Sequence, residues 1–328
     1  MTTAERFREF ATAAARQNSP LYAEWADRIV VDDVILRLID QARPGQRQPV
    51  LVFAVARLLG APEAPYEALH EWLIAHREAF LAELDVRLTQ TNDVRRVAPV
   101  ALALAEARLD GPVALLEVGA AAGLGLYPDR YRIDVASASG SRTLGDPQSS
   151  VRLTLRVEGE PRGAQDPRAL PSIRHRAGLD VAPLDVRRAA DAVWLETLLW
   201  PGQGDRVALL RSAVDVARRD PAAIAAGDAV DGLDSLVSGV PAGITPVVVT
   251  AGTLVYLPGA RRQEFVDAVA RLGVRWISYE KTGLLAGIHA TLGDPARSLT
   301  GSEHFATLAL DGRALGTGDA HGTRLNRP

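Results

Sequence analysis

One segment near the middle of the chain constrains its fold more than any other. The apolar run Val113–Leu116 ends at the acid Glu117, and a small-residue turn, Gly119–Gly123, follows it. A buried strand that turns tightly into a helix is a common way of holding nucleotide-type ligands, because glycines let the backbone approach the ligand and free N–H groups face it. An acid at the strand end suits a positively charged or hydroxyl-rich ligand better than a pyrophosphate. We therefore expect a strand, a ligand-binding turn and a helix here.

Composition narrows the class of protein. The chain has 328 residues, 47% of them hydrophobic, with a net charge of −3 and no cysteine. These values are typical of a globular protein whose small net charge creates no electrostatic field that would attract nucleic acid or a membrane. The lack of cysteine and the spacing of the six histidines lead us to expect no metal. We see neither a membrane span nor a signal peptide, and expect a cytoplasmic protein.

The apolar patterning divides the chain into two parts. Residues 1–110 have helical periodicity throughout, which predicts a helical N-terminal cap domain. Residues 111–328 alternate strands and helices, which predicts an α/β domain built on parallel strands, with a β-rich insertion at about 131–172. Alternation on both sides of Asp311-Gly312 predicts a closing antiparallel hairpin. The predicted parallel strands are 113–118, 173–179, 223–226, 246–250 and 274–279, and the predicted helices among them are 189–199, 204–219 and 259–272.

This order of elements resembles that of Rossmann-like methyltransferases that depend on S-adenosylmethionine (SAM). These enzymes carry an acid-x-Gly-x-Gly-x-Gly sequence after their first strand. Glu117, Gly119 and Gly123 match it, whereas the middle glycine is Ala121 here. The resemblance implies that Glu117 and the turn hold the amino-acid and ribose end of SAM. It also requires that Ala121 keep a negative φ and point its methyl group away from the ligand.

The resemblance implies further cofactor contacts at the ends of later strands. An acid after the second strand holds the ribose hydroxyls, because its two oxygens can accept from both of them. Asp180 and Asp134 are the two candidates, and the apolar approach to Asp180 favours it. An Asp after the third strand reaches the adenine amino group, and the fourth strand ends at the substrate face. The residues at these two places are Asp228 and Ala229, and Thr250 and Tyr256.

Over nearly its whole length the chain also resembles a largely uncharacterised, mainly actinobacterial family, the domain of unknown function 2332. Two of the stretches that carry this resemblance are QTNDVRR, at 90–96, and RAGLDVAPLD, at 176–185. The family implies a methyltransferase-like fold behind a helical N-terminal region. It implies no settled reaction.

Candidates for substrate contact lie outside the cofactor site. Asn92 and Arg96 stand where a helix is expected to begin, and a guanidinium can bind a carboxylate or phosphate in a bidentate manner. The alternative is a capping motif with solvent-exposed ion pairs. Tyr256 is a third candidate for a catalytic role. His304 and His321 are candidate general bases, and the alternative for both is an ordinary role as solvated loop residues.

The sequence therefore predicts a SAM-dependent, methyltransferase-like enzyme acting on a small molecule, an anionic one included, with secondary metabolism as one setting. Two alternatives stay open. One is an enzyme of the same fold that does not methylate but carries out an intramolecular displacement, elimination or cyclisation, with or without SAM. The other is a non-catalytic binding or scaffold protein. We expect neither nucleic acid nor a membrane as a partner, and leave open a homo- or hetero-oligomer.

Overall fold

The chain divides into two compact units. The computed structural model describes residues 1–12, 19–90, 93–138, 140–159, 169–293 and 301–327. The first unit comprises residues 1–90 and 187–211, and the second comprises residues 91–186 and 212–328. The sequence places the domain limit at 110, whereas this division assigns residues 91–110 to the second unit and residues 187–211 to the first.

Several helices begin at capping residues that the sequence makes recognisable. Thr2 and Glu5 form a capping box at the first helix, and the Ser19 side chain caps the second, which has Pro20 as its first residue. In chain order the described α-helices are α1 (Thr3–Phe10), α2 (Pro20–Ile29), α3 (Asp33–Ile39), α4 (Pro49–Leu58), α5 (Tyr66–Ala75), α6 (Arg77–Val86), α7 (Val97–Glu106), α8 (Ala189–Thr197), α9 (Gly204–Arg219), α10 (Leu233–Ser238), α11 (Gly259–Leu272) and α12 (Ala286–Ala290).

The first unit is helical and is built around an aromatic cluster. The ring centroid of Phe53, on α4, lies 5.6 Å from that of Phe7, 4.8 Å from that of Tyr22 and 5.4 Å from that of Trp25. All four side chains are buried. Tilted and edge-to-face pairs of this kind add about 0.5–1.5 kcal/mol each beyond the area that they bury. The apolar stripes of the N-terminal sequence therefore form the core of this unit.

The second unit contains one large, mostly parallel sheet with helices, so the fold class is α/β. Its described strands are β1 (Val113–Val118), β2 (Arg132–Ser137), β3 (Gly140–Gly145), β4 (Arg152–Glu158), β5 (Ile173–Asp180), β6 (Ala223–Ala226), β7 (Thr245–Ala251), β8 (Arg275–Lys281), β9 (Ala306–Leu310), β10 (Arg313–Gly318) and β11 (Arg324–Asn326). They lie in the order β3-β2-β4-β11-β10-β9-β8-β7-β1-β5-β6.

Five neighbouring strands, β6-β5-β1-β7-β8, are all parallel. They are the five parallel strands that the sequence predicts, and their ends agree with the prediction to within two residues. The strand order reverses at β1, because β5 and β6 are added on one side of it and β7 and β8 on the other. In open α/β sheets, ligands bind in the crevice at the carboxyl ends of the strands where the order reverses. Here that crevice lies between the ends of β1 and β7.

The predicted C-terminal hairpin is confirmed, with β9 antiparallel to β10. Its two-residue loop consists of Asp311, with a φ of 51°, and Gly312, with a φ of 77°. A tight hairpin of this type needs a positive φ at both positions, which explains the Asp-Gly pair. β9 also pairs antiparallel with β8, so the hairpin continues the parallel part of the sheet.

The β-rich segment at 131–172 extends this same sheet. The sequence predicts an inserted hairpin or small meander from the stretches that form β2 and β4. These two strands are instead parallel to each other, because the Ser/Gly-rich stretch between them supplies β3, which pairs antiparallel with β2. β4 pairs in turn with β11.

The helix predicted directly after the Gly119–Gly123 turn is wrong. Two 3₁₀ helices, Leu124–Leu126 and Pro128–Arg130, take its place. Gly123 has a left-handed conformation, with a φ of 72°, and Pro128 lacks the N–H that an α-helix would need at that position. None of the described helices of the chain combines the length and the hydrophobicity needed to cross a membrane.

Candidate functional site

A cleft opens in the second unit, at the reversal point of the sheet, with about 440 Å³ of space that includes open solvent. One side comes from the residues at and after the end of β1, another from the end of β7, and a third from the segment that leads into α7. The lining residues that matter below are Asp93, Arg96, Glu117, Gly119, Gly125 and Ala251.

Glu117 lines the cleft, and one oxygen of its carboxyl group lacks a hydrogen-bond partner among the described residues. The Glu117 side chain is half-buried, while its Oε2 atom is fully buried and has no hydrogen-bond partner among the described residues. Burial raises the pKa of Glu117 to about 8, and the nearby charge of Asp180 adds to the effect. Buried polar atoms in proteins nearly always have a partner. A ligand that brings a cation or a hydrogen-bond donor to this point would supply one.

At two positions beside Glu117, close contacts leave room only for glycine. A Cβ at Gly119 would lie 2.1 Å from Oγ1 of Thr253, and a Cβ at Gly125 would lie 2.2 Å from Oε1 of Glu117. Gly119 also has a φ of 76°, which favours glycine. The sequence analysis missed Gly125. Its only mark in the sequence is that it is a further glycine two positions after the turn. The absence of a side chain at Gly125 makes room for the Glu117 carboxyl group.

Asp180 holds the turn in place. Its Oδ2 accepts a hydrogen bond from the N–H of Ala121 at 2.8 Å, and its Oδ1 accepts one from Ala182 at 2.9 Å. Ala121 has a φ of 50°, so the predicted negative φ is wrong. The N–H of Leu184, which donates to the Ala121 carbonyl at 3.0 Å, also holds this left-handed conformation. Asp180 therefore positions the turn, and its predicted contact with a ribose stays a prediction.

The structure separates Asp134, the other candidate for the ribose acid, from the cleft. Asp134 lies on β2, and six strands stand between β2 and β1 in the sheet. Its carboxylate accepts hydrogen bonds from Arg132 at 2.9 Å and from Thr143 at 2.6 Å, and these bonds lower the pKa of Asp134. Of the two candidates, Asp180 is thus the one next to the turn.

Asp228 follows β6 and does not line the cleft. Its Oδ1 accepts hydrogen bonds from the Val230 N–H at 2.8 Å and from Arg261 at 2.5 Å. Burial would raise the pKa of Asp228, but the backbone hydrogen bonds and Arg261 outweigh it and lower that pKa. Ala229, beside it, is buried in the apolar core of the unit.

Thr250 and Tyr256 also lie outside the cleft lining. Side chains alternate between the two faces of a strand, and Ala251 faces the cleft, so Thr250 faces the opposite side. There its Oγ1 accepts a hydrogen bond from Nε1 of Trp276 at 3.2 Å. Tyr256 is 65% exposed. Neither residue is brought together with Glu117.

Arg96 lines the cleft, and its predicted contact with a substrate stays a prediction. Its Nη1 donates to the carbonyl of Ala251 at 3.0 Å, and its Nε donates to that of Ala320 at 3.0 Å. These two bonds hold a positive charge at the carboxyl end of β7. Asn92, its predicted companion, lies outside the described residues.

A further acid near the cleft, Glu280 at the end of β8, is buried and was missed by the sequence analysis. It accepts hydrogen bonds from the N–H groups of Thr253 at 3.0 Å and Leu254 at 3.2 Å. Burial raises the pKa of Glu280 to about 7, against the opposing effect of these bonds and of Arg96. Glu280 therefore fixes the segment that brings Thr253 against Gly119. An acid at the end of an apolar strand is the same signal that marks Glu117.

Among the described residues, no group of three or more His, Asp or Glu side chains is placed to hold a metal ion.

Comparison with known proteins gives one family. Residues 4–327 match the family model described as an uncharacterized protein conserved in bacteria (DUF2332). No curated protein and no solved structure matches the chain.

Proposed function

The chain belongs to the DUF2332 family, and we propose that its second unit binds SAM in the cleft beside Glu117 and acts as a methyltransferase-like enzyme on a small molecule. The observation that carries this proposal is the unpartnered Oε2 of Glu117, on a carboxyl group whose pKa is raised to about 8. A cation placed there would favour the ionised carboxylate and give it a partner. The α-ammonium group of the amino-acid part of SAM is such a cation.

The strand order supports the same proposal. The order β6-β5-β1-β7-β8 corresponds to the 3-2-1-4-5 order of doubly wound sheets, in which the ligand lies at the reversal point. The antiparallel strand β9 follows, as the resemblance to Rossmann-like methyltransferases implies. Beyond β9 the sheet continues through β10 and β11 to β4, β2 and β3, and that part takes no role in the proposal.

The residues present fit the amino-acid end of SAM. Gly119 and Gly125 lie where any side chain would collide with Thr253 or with Glu117, so these glycines leave room for the Glu117 carboxyl group beside the turn. The adenine end is not assigned, because Asp228 pairs with Arg261 outside the cleft lining. We therefore assign Glu117 to the ammonium group and leave the remaining contacts out of the proposal.

Bound SAM would supply an activated methyl group, and the residues of this chain would act mainly by positioning. Glu117 would hold the donor by its ammonium group. Arg96 would place its positive charge near an anionic group of the acceptor, since it lines the same cleft. A small anionic acceptor is the substrate class that this arrangement favours.

One observation favours a second candidate, an enzyme of the same fold that does not methylate. Both carboxylate oxygens of Asp180 already accept backbone hydrogen bonds, and Ala121 adopts a left-handed conformation. A ribose held as in methyltransferases would have to share the Asp180 oxygens with these N–H groups. In this alternative the cleft would serve an intramolecular displacement, elimination or cyclisation, with or without SAM.

Titration calorimetry with SAM and with S-adenosylhomocysteine (SAH) tests the proposal on the wild type, on Glu117→Gln and on Asp134→Asn. Asp134→Asn is the matched control, because it neutralises a carboxylate that lies away from the cleft. We expect the wild type and the control to bind both ligands, and Glu117→Gln to bind them more weakly. At pH 7, titrations in buffers of different ionisation enthalpy should show release of about one proton from Glu117 per ligand bound, since a carboxyl group of pKa about 8 is mostly protonated there.

The outcomes separate the possibilities. A folded wild type that binds neither ligand would overturn the proposal. Equal binding by the wild type and Glu117→Gln would remove the role given to Glu117. If the protein binds SAM but transfers its methyl group to none of a set of small acids, the second candidate is favoured.

A further inference from the structure

Polar side chains share one face of the sheet where β8 ends. The strand reads RWISYEK, and alternation along it places Ser278 and Glu280 on the same face. Thr307 on β9 pairs directly with Glu280, so its side chain lies on this face too. The exposed fractions are 2% for Ser278, 2% for Glu280 and 5% for Thr307. Three buried polar side chains therefore lie together, beside an apolar core cluster that includes Trp276 and Ile288.

These three side chains line a second pocket, which shares no described lining residue with the cleft. The pocket has about 200 Å³ of space that includes open solvent, so it admits only a small ligand. Lys281 at the end of β8 and His289 on α12 also line it. Apolar cavities stay dry, whereas cavities with several polar groups hold water or a ligand. We therefore regard this pocket as a polar site and not as a packing gap in the core.

The imidazole ring of His289 has a buried nitrogen without a partner. Its Nδ1 atom is fully buried and makes no hydrogen bond to any described residue. The two histidines that the sequence marks as candidate general bases differ in this respect. Nδ1 of His304 lies 2.8 Å from Oγ1 of Thr317, and neither His304 nor His321 lines the cleft. Nδ1 of His321 lies 2.8 Å from Oδ2 of Asp93. Because buried polar atoms nearly always have a partner, we expect a water molecule or a ligand beside His289.

The donors around the pocket favour an anion. Lys281, the only lysine of the chain, is exposed and lines the pocket. Its ammonium group offers three donors and no acceptor. The hydroxyl groups of Ser278 and Thr307 can also donate, and so can the imidazole of His289 when Nδ1 carries the proton. A positive charge together with several hydrogen-bond donors is the arrangement that binds an oxyanion.

Glu280 is the one acid among the described residues that line this pocket, and its carboxyl group is already occupied. Its Oε1 accepts from the N–H of Thr253 at 3.0 Å, and its Oε2 accepts from that of Leu254 at 3.2 Å. Burial raises the pKa of Glu280 to about 7. At pH 6 about nine in ten of these carboxyl groups are therefore neutral. Repulsion of an anion by Glu280 is small at that pH.

We propose that this second pocket binds a small oxyanion, a carboxylate or a phosphate group, through the Lys281 ammonium group, the Ser278 hydroxyl group and Nδ1 of His289. The anion would supply the partner that this nitrogen lacks. Hydrogen bonds from a charged donor to an oxyanion are shorter and stronger than those between neutral groups. The site goes beyond the proposed function and does not depend on it, because its lining residues are not those of the cleft.

Nitrogen-15 NMR of the histidine rings tests the proposal in the full chain at pH 6 and constant ionic strength. The titrants are acetate, inorganic phosphate and acetamide, and the spectrum of His289→Gln assigns the His289 signals. We expect at least one of the two anions to shift these signals in a saturable way, and those of His70 in the first unit to stay unchanged. Acetamide has the shape of acetate without its charge, so it should bind about tenfold more weakly or worse.

Two substitutions at Lys281 test the source of the positive charge. Lys281 is exposed, so both variants should fold. Lys281→Met should weaken binding of the anion by about threefold to tenfold, whereas the matched variant Lys281→Arg, which keeps the charge, should bind within about threefold of the wild type.

Three results would overturn the proposal. If neither anion shifts the His289 signals in a saturable way, the pocket holds water only. If acetamide binds as well as acetate, the site does not select an anion. If Lys281→Met binds the anion as the wild type does, Lys281 has no part in the site. The calorimetry with SAM and SAH tests the proposed function separately.

Discussion

Replacement of Glu117 by Gln removes a half-buried ionisable group, one oxygen of which is fully buried, and keeps its shape. The folded chain holds the proton of Glu117 more tightly than the unfolded chain does, because the pKa is about 8 in the folded state and 4.5 without the fold. Between these values the folded state binds more protons. The stability of the wild type therefore falls as the pH rises, whereas Gln does not titrate.

The size of the effect follows from the two pKa values. Each unit of pKa difference corresponds to about 1.4 kcal/mol, and the window from pH 5 to pH 8 covers most of the difference. The loss of wild-type stability over this window is then about 3 kcal/mol, somewhat reduced by the water that reaches the side chain from the cleft. The free energy of unfolding of Glu117→Gln, relative to that of the wild type, should therefore increase by this amount as the pH rises from 5 to 8.

Urea unfolding of the full chain at pH 5, 6, 7 and 8 measures this difference. Asp134→Asn serves as the control, because the pKa of Asp134 is lowered and its carboxylate stays ionised throughout the window. Its stability relative to the wild type should not change with pH. The free energy of unfolding of Glu117→Gln, measured relative to the wild type, is expected to rise with pH. If that difference is the same at all four pH values, the raised pKa of Glu117 in the folded state is refuted.

Three further substitutions test the structure of the turn. Gly119→Ala should destabilise the second unit by about 1–3 kcal/mol in urea unfolding, because the new Cβ meets Thr253, and Thr253→Ala in the same chain should recover part of the loss; the absence of any recovery would contradict the contact. Ala121→Gly should raise the free energy of unfolding by up to about 1 kcal/mol, since its φ of 50° suits glycine, and a loss of stability would count against that conformation. Asp180→Asn should lower the pKa of Glu117 by removing a like charge, so the pH dependence of stability should shrink; an unchanged dependence would exclude coupling between the two acids.

The parallel strands were predictable because each is encoded locally. A strand buried on both faces is a short apolar run, as in Pro246–Thr250, and glycines, prolines and acids mark its ends. Strand pairing is not local in this sense. The parallel arrangement of β2 and β4 depends on β3 and on β11, and a strand of three residues carries no periodicity that a sequence pattern could reveal.

The helix predicted after the glycine turn failed for a related reason. Apolar spacing in this stretch is compatible with a helix, but Gly123, with its positive φ, and Pro128 prevent one from extending. Backbone conformation at single residues overrides periodicity when the segment is this short. The positive φ of Ala121 belongs to the same class, because Asp180, which holds it, is 59 positions away.

At the candidate site, the sequence predicts the position of an acid but not its hydrogen-bond partners. The same pattern, an acid at the end of an apolar strand, marks both Glu117 and Glu280, and burial raises the pKa of both. The two acids differ in their hydrogen-bond partners. Glu280 accepts hydrogen bonds from two backbone N–H groups, while Oε2 of Glu117 has no hydrogen-bond partner among the described residues. An acid with its partners in place supports a loop, and an acid without one is available to a ligand. That distinction is set by long-range packing, and it makes Glu117 the residue on which the proposed function depends.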